Sequence, residues 1–483
     1  MYLGLDLGTS GLRAILCSAE GRVLSEAERS YPVAHPRPGW SEQDPDDWIH
    51  ATRKVVGALA ATHPAEMAAL RGIGLSGQMH GTVLLDGAGK VLRPAILWND
   101  TRAHEEAAAL DAIPAFREKS ANIVFPGFTA PKLMWVKRHE PEIFAQVEKV
   151  LLPKDYLRLW LTGEQVSEMS DAAGTAWLDT CGREWADDLL TLSGMTRDQM
   201  PGLIEGSAPS GHLRDGLARE WGINGPVTVA GGGGDNAAAA CGVGVIVERQ
   251  GFVSLGTSGV LLVARETCTP APETAVHTFC HALPARWVQM GVILAATDCL
   301  NWLARQMGRS PGDLAALAGE RLTPPSGAMF LPYLSGERTP HNDAAIRAAF
   351  TGLDIAHEPA DLVRAMMQGV GFALRDSLEA LRAAGAAPER LLAIGGGARS
   401  PWWVEALATI LALPIDLPQS GELGAALGAA RLAILADTGA DPGAVMEPPK
   451  IARSIAPRAD LEDEYAAAYA RYRTLYPALR ACT

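Results

Sequence analysis

Residues 4–16 read GLDLGTSGLRAIL: an apolar strand, a tight turn and a second apolar strand. The turn returns half a chain later. Residues 6–11 are Asp-Leu-Gly-Thr-Ser-Gly and residues 254–259 are Ser-Leu-Gly-Thr-Ser-Gly, each closing one strand and opening another at 12–17 and 260–263. Self-similarity of this kind predicts two lobes built alike, each opening on the same turn. Chance recurrence in a chain with 50 glycines is the competing explanation. At 483 residues the chain also exceeds the size at which one hydrophobic core keeps growing. The expected division is a first lobe at 1–245 and a second at 246–483, with the boundary near 240–252.

Working outward, residues 45–70 carry an Asp-rich start and a helical period through Trp48, Val55, Val56 and Leu59. The run PVTVA at 226–230 reads as a strand that ends in four glycines. Near the carboxyl end, 459–480 reads as one amphipathic helix, with Tyr465, Tyr469, Tyr472 and Tyr476 packing on the second lobe. Strands alternate with helices throughout, so the fold class is α/β. Lys and Arg number 42 against 55 Asp and Glu, a net charge of −13. An acidic surface repels phosphate backbones, which excludes nucleic acid and anionic membrane as partners. No apolar run reaches the roughly 20 residues of a membrane span. The seven cysteines lack any C-x-x-C pair and read as reduced, buried thiols of a cytoplasmic protein.

The two turns are the first chemical signal. A tight glycine turn aims successive N–H groups into one concavity, a cradle for phosphate. Gly8, Thr9, Ser10 and Arg13 furnish the first cradle, and Gly256, Thr257, Ser258 and Gly259 the second. Asp6 beside such a site suits Mg²⁺ held through water. Neither G-x-x-x-x-G-K-[ST] nor the D-F-G and H-R-D pair of protein kinases occurs. The second signal is Gly231-Gly232-Gly233-Gly234-Asp235-Asn236. Asp235 at a helix amino terminus is expected to stay ionised and to accept the proton of an attacking hydroxyl. Two plainer readings stay open: a simple N-cap, and a dinucleotide fingerprint G-x-G-x-x-A at 232–237. The third is LLAIGGGARSPWW at 391–403, whose Gly396 and Gly397 offer a flat surface to a base or ribose. Polar groups also crowd at 78–80, at 98–102 around Trp98, and at 335–340. His277, Cys280 and His281 resemble zinc ligands without a matching second pair.

At these residues the sequence resembles the FGGY family of carbohydrate kinases, within the actin–hexokinase superfamily. The likeness rests on GLDLGTSGLRAIL (4–16), SGQMHG (76–81), RPAILWNDTR (93–102), PGFTAPKLMWV (126–136), LLPKDYLRL (151–159), SDAAGTAWLD (170–179), GGGDNAA (232–238), SLGTSG (254–259), FLPYLSGERTPH (330–341) and IGGGARS (394–400). It weakens beyond about residue 437. The resemblance implies two ribonuclease-H-like, actin/hexokinase-type lobes around a central cleft. It implies ATP-dependent phosphorylation of D-xylulose to D-xylulose 5-phosphate, with other ketopentoses such as ribulose as alternative substrates. Asp235 would be the general base, and Asp6, with Asp235, would lie near Mg²⁺. Met79, His80, Trp98, Asp235 and Asn236 would line the sugar site, and Gly396 and Gly397 would face adenosine. Met79-His80 stands where glycerol kinases carry Arg-Glu, and the fourth glycine before Asp235 departs from the usual three. The resemblance also implies a homodimer. A nicotinamide enzyme and a non-catalytic sugar-responsive module are the rival functions.

Overall fold

The computed structural model describes residues 1–419 and 424–482 and is built on two seven-stranded sheets. In the first, Val23–Ser30, Gly11–Cys17 and Tyr2–Leu7 run antiparallel in that order. Gly72–Gly77 and Thr228–Ala230 then follow in parallel, and Pro209–His212 closes the edge antiparallel. In the second, Trp287–Ile293, Gly259–Arg265 and Gly251–Leu255 run antiparallel. Leu391–Ile394 and Ile415–Pro418 follow in parallel, and Ile451–Ile455 closes antiparallel. Six strands repeat in order and direction. This is the duplication that the paired turns predict, realised as two mixed α/β lobes.

The central strands of the first sheet are covered on both faces. Helix Pro45–Thr62 turns Trp48, Val55 and Val56 into one side, with the Asp44 carboxylate capping Asp46 N–H at 3.0 Å. The expected helix over 45–70 is split at Pro64, because a proline pushes the residue before it out of the helical region. The other face receives Gly424–Thr438, a helix from the far end of the sequence. It comes so close that a Cβ on Gly74 would stand 1.7 Å from Ala429 O, and one on Gly4 2.0 Å from Ala426 O. Glycine on the strands is therefore what lets helix backbone rest on sheet backbone.

The carboxyl-terminal helix is likewise two pieces, Glu462–Tyr472 and Leu475–Arg480. Its tyrosines pack as expected: Tyr465, Tyr469 and Tyr472 are buried in the second core, and Tyr469 donates to Asp376 at 2.6 Å. The reading of all seven cysteines as thiols is corrected by a Cys181–Cys268 disulfide, with Cα atoms 5.5 Å apart. Folding brings together residues whose sequence spacing carries no pairing motif. Cys482 is exposed, and Cys17, Cys241, Cys280 and Cys299 are buried thiols. Among the described residues no helix is long and apolar enough to cross a membrane.

Candidate active site

Three adjacent strands of the first sheet deliver the acidic centre. Asp6 pairs in register with Ser76, and Ser76 with Gly233, so Asp6 and Asp235 arrive at the same end of the sheet. That carboxyl end of parallel strands is where open α/β sheets bind ligands. The Ser76 hydroxyl donates to Asp6 at 2.9 Å. Asp235 opens helix Asp235–Gly242, and its Oδ1 accepts from Asn236 N–H at 2.6 Å and Asn236 Nδ2 at 2.8 Å. Both carboxyls are deeply set yet still reach solvent. Burial raises Asp6, against the Ser76 hydrogen bond and the Arg13 charge. Burial first, then repulsion from Asp6, pushes Asp235 up to about 6, against the two Asn236 donors. The helix terminus is thus opposed by burial and by a neighbouring carboxylate, which bring Asp235 closer to neutral pH than an ordinary aspartate. The N-cap position belongs to Gly234, so a plain cap does not describe Asp235.

Glycine also sets what faces Asp235. A Cβ on Gly234 would stand 2.8 Å from Met79 Cγ, so Met79 lies directly against the loop that carries the acid. His80 adopts φ 67°, a strained left-handed conformation that its surroundings enforce. Its ring stacks on Phe128 with centroids 4.6 Å apart, and its Nδ1 reaches Gly174 O at 2.7 Å. A carbonyl only accepts, so Nδ1 carries the proton. Burial pushes the imidazole down to about 3, against that hydrogen bond, so the ring is neutral and Nε2 is a bare acceptor. Lys132 Nζ and Thr129 Oγ1 hold the His80 carbonyl at 3.1 and 3.0 Å.

The first turn closes through Gly8 N–H to Gly11 O at 3.0 Å. Thr9 and Ser10 stand at its tip, but the Thr9 hydroxyl is occupied, donating to Gln78 Oε1 at 3.2 Å and accepting from Trp98 Nε1 at 2.9 Å. Trp98 is 43% exposed and so presents a face to solvent beside this turn. Arg13 pairs with Glu26 at 2.6 Å while standing opposite Asp6 across the strands. The second turn, Gly256 to Gly259, is anchored differently. Gly256 O accepts from Thr297 N at 2.9 Å, and Thr257 O from Ala296 N at 2.8 Å, which fastens it to helix Thr297–Met307. Next to it opens a cavity of about 490 Å³ lined by Thr297, Asn301, Ala315, Gly396, Gly397 and Trp403. Gly396 and Gly397 thus meet a real cavity, whose wall residue Asn301 sequence reading missed.

A buried ionic brace supports the Asp235 loop. Lys154 Nζ lies 2.6 Å from Asp155, 3.4 Å from Asp171 and 3.6 Å from Glu168, and Arg158 lies 2.8 Å from Asp155. Glu168 accepts from the Ser170 hydroxyl at 2.8 Å, and that hydroxyl accepts from Gly234 N–H at 3.0 Å. Ser170 was not singled out in the sequence, because nothing local marks it. The zinc reading of His277, Cys280 and His281 finds no support. His277 faces Asn122 and Arg338, His281 faces Val245 O, and no group of three potential ligands exists among the described residues.

Comparison with known proteins agrees with this arrangement. Residues 1–242 match the N-terminal domain of the FGGY family of carbohydrate kinases, and residues 251–436 match its C-terminal domain. The chain is 47% identical over 482 residues to the xylulose kinase of Escherichia coli (strain K12), covering 99% of this chain and 96% of that one. It is 49% identical over 438 residues to the xylulose kinase of Klebsiella pneumoniae, covering 90% of each. A crystal structure described as a xyloylose kinase from Brucella ovis superposes with a TM-score of 0.99 at 56% identity over the full length of both chains. With both domains of the family matched in order along the two lobes, this chain belongs to the FGGY family of carbohydrate kinases.

Proposed function

We propose that the protein transfers the γ-phosphoryl group of ATP to D-xylulose, giving D-xylulose 5-phosphate and ADP. The observation that carries the reading is Asp235, a carboxyl with a raised pKa at the carboxyl edge of the sheet, flanked by Met79 and facing Asp6. The relatives named above are xylulose kinases, which supports D-xylulose among the ketopentoses.

In this reading the sugar lies against Met79, His80 and the face of Trp98. The bare Nε2 of His80 accepts from one sugar hydroxyl, and Asn236 offers its amide to another. Asp235 takes the proton of the 5-hydroxyl as that oxygen attacks the γ-phosphorus, and ADP departs on the opposite side. A base near pKa 6 is ionised at neutral pH yet basic enough to hold the proton in flight. The backbone N–H groups of Gly8 to Ser10 and of Gly256 to Gly259 cradle phosphates, and the 490 Å³ cavity takes the adenosine. The donor set fits Mg²⁺: the carboxylates of Asp6 and Asp235, close enough to repel one another, would hold the ion beside the phosphates. When bound, the ion neutralises charge that builds on the phosphates. Lobe closure would exclude water from the transfer. The reading extends to a cytoplasmic homodimer, for which sedimentation velocity is the check.

The test is ADP release with Mg²⁺-ATP against D-xylulose, L-xylulose, D-ribulose, L-ribulose, glycerol and no sugar. D-xylulose is expected to turn over fastest. Preference for another ketose would keep the chemistry and change the substrate, and no turnover with any would overturn the reading. The adenosine assignment has its own check. An added Cβ on Gly396 meets nothing within 4 Å and Gly396 lines the cavity, so Gly396→Leu is expected to fold and to crowd that wall. It is expected to raise KM for ATP at least about tenfold with KM for the sugar unchanged. An unaltered KM for ATP would remove Gly396 from the nucleotide site.

A further inference from the structure

Two indole N–H groups bracket a chain of hydrogen bonds whose direction is fixed throughout. An indole nitrogen donates and never accepts. Trp48 Nε1 reaches Gln43 Oε1 at 3.1 Å, so that oxygen is the acceptor end of the amide. The Gln43 amino group then faces Thr9 O at 2.7 Å and Pro32 O at 3.2 Å. Gln43 Oε1 also takes Gln78 Nε2 at 2.9 Å, which turns Gln78 Oε1 toward the Thr9 hydroxyl at 3.2 Å. Thr9 must donate there, and it accepts from Trp98 Nε1 at 2.9 Å. Flipping Gln43 would set its amino group against the Trp48 and Gln78 N–H donors, and flipping Gln78 would set its oxygen against Gln43 Oε1. Gln43 and Gln78 are each 2% exposed, so a polar group left unpaired there would bear its full desolvation penalty.

The chain joins two places. Gln78 leads straight into Met79 and His80, and Trp98 stands at the other end with an open face. Between them Thr9 is gripped by both its hydroxyl and its carbonyl, at the tip of the first phosphate turn. We propose that Gln43 and Gln78 are positioning residues that tie the sugar loop and Trp98 to this turn, so that sugar and nucleotide bind cooperatively. The proposal rests on the reading that the sugar lies at His80 and Trp98 and phosphates at the turn. The physical reason is shared ordering: a ligand that settles the network spares the second ligand that cost.

The experiment is calorimetric titration of the full-length protein with a non-hydrolysable Mg²⁺-ATP analogue, with and without D-xylulose. Wild type is expected to bind the analogue at least about fivefold more tightly with sugar present. In Gln43→Met, Gln78→Met and Trp98→Phe that ratio should fall close to unity. Gln43 touches neither ligand, so sugar affinity in Gln43→Met should stay within about twofold of wild type, a split that general loosening of the fold would not give. Thr9→Ser keeps the hydroxyl and should keep the coupling, whereas Thr9→Val should lose it. If the buried amide variants misfold, Trp98→Phe at its half-exposed position still decides the matter. Absence of coupling in wild type, or wild-type coupling in a folded Trp98→Phe, would overturn the proposal while leaving the kinase reading intact. Failure of wild type to bind sugar or analogue at all would sink both.

Discussion

Replacing Asp235 by asparagine will lower kcat by about 10²–10⁴-fold, with sugar and nucleotide dissociation constants within a few-fold of wild type. Asparagine fills the same space but takes up no proton. The residual rate comes from positioning and from charge stabilisation on the phosphates, which the substitution leaves in place. Wild-type kcat/KM should fall below about pH 6 as Asp235 protonates, and that acid limb should vanish from the variant's profile. Stability should move the other way. The folded-state pKa of Asp235, about 6, lies above its ordinary 3.8, so the native state holds this proton more tightly than the unfolded chain does. The associated stabilisation is complete below pH 3.8 and is lost as pH rises to about 6, so at neutral pH the ionised group is a full cost. Asp235→Asn should therefore be more stable at pH 7 by on the order of 1–3 kcal/mol, read as a higher Tm. An active asparagine variant would remove Asp235 from the base role. An inactive variant of lower Tm would show that the site stores no such strain.

The second large effect is expected at Lys154. Its ammonium is fully buried among Asp155, Glu168 and Asp171. Burial works against its charge, but the carboxylates prevail and hold its pKa above the ordinary lysine value. Burial would raise Asp155 as well, yet Lys154 and Arg158 reverse that and hold it low. At Asp171 burial prevails and pushes the carboxyl well above the usual carboxylate range. Lys154→Met leaves Asp155 with Arg158 as its cation and takes the nearby ammonium from Glu168. Breaking a buried pair by removing one partner costs about 3–5 kcal/mol, a Tm loss on the order of 10 °C. Glu168 holds Ser170, and Ser170 holds Gly234 N–H, so kcat should fall as well. Differential scanning calorimetry decides the first part. A Tm within about 2 °C of wild type would mean that the cluster tolerates the loss.

What the sequence disclosed and what it hid divide along physical lines. Tight turns and the strands beside them are local, so the LGTSG pair announces the opening hairpin of each sheet. The Asp235 motif was equally local, but its raised pKa was not. That depends on Asp6, which strand register places nearby, and on burial that only the finished fold creates. Trp98 read as a sugar platform, while its bond to Thr9 depends on a contact between distant loops. Gln43 was invisible because a glutamine flanking a helix has no signature until the Trp48 indole and the Gln78 amide fix its orientation. Cys181 and Cys268 went unpaired for the same reason.

The helix Gly424–Thr438 has a consequence for biosynthesis. It covers one face of the first sheet, whose other parts are all translated by residue 234. At about 5–20 residues per second, the ribosome delivers this helix roughly 10–40 s after the sheet has left it. During that interval Gly4 and Gly74 form the floor of an open apolar trough, and the helix bearing Asp235 lacks its partner. A nascent chain stalled in the second half should therefore attract chaperones, and a fragment ending near residue 245 should aggregate unless the missing helix is supplied as a separate peptide.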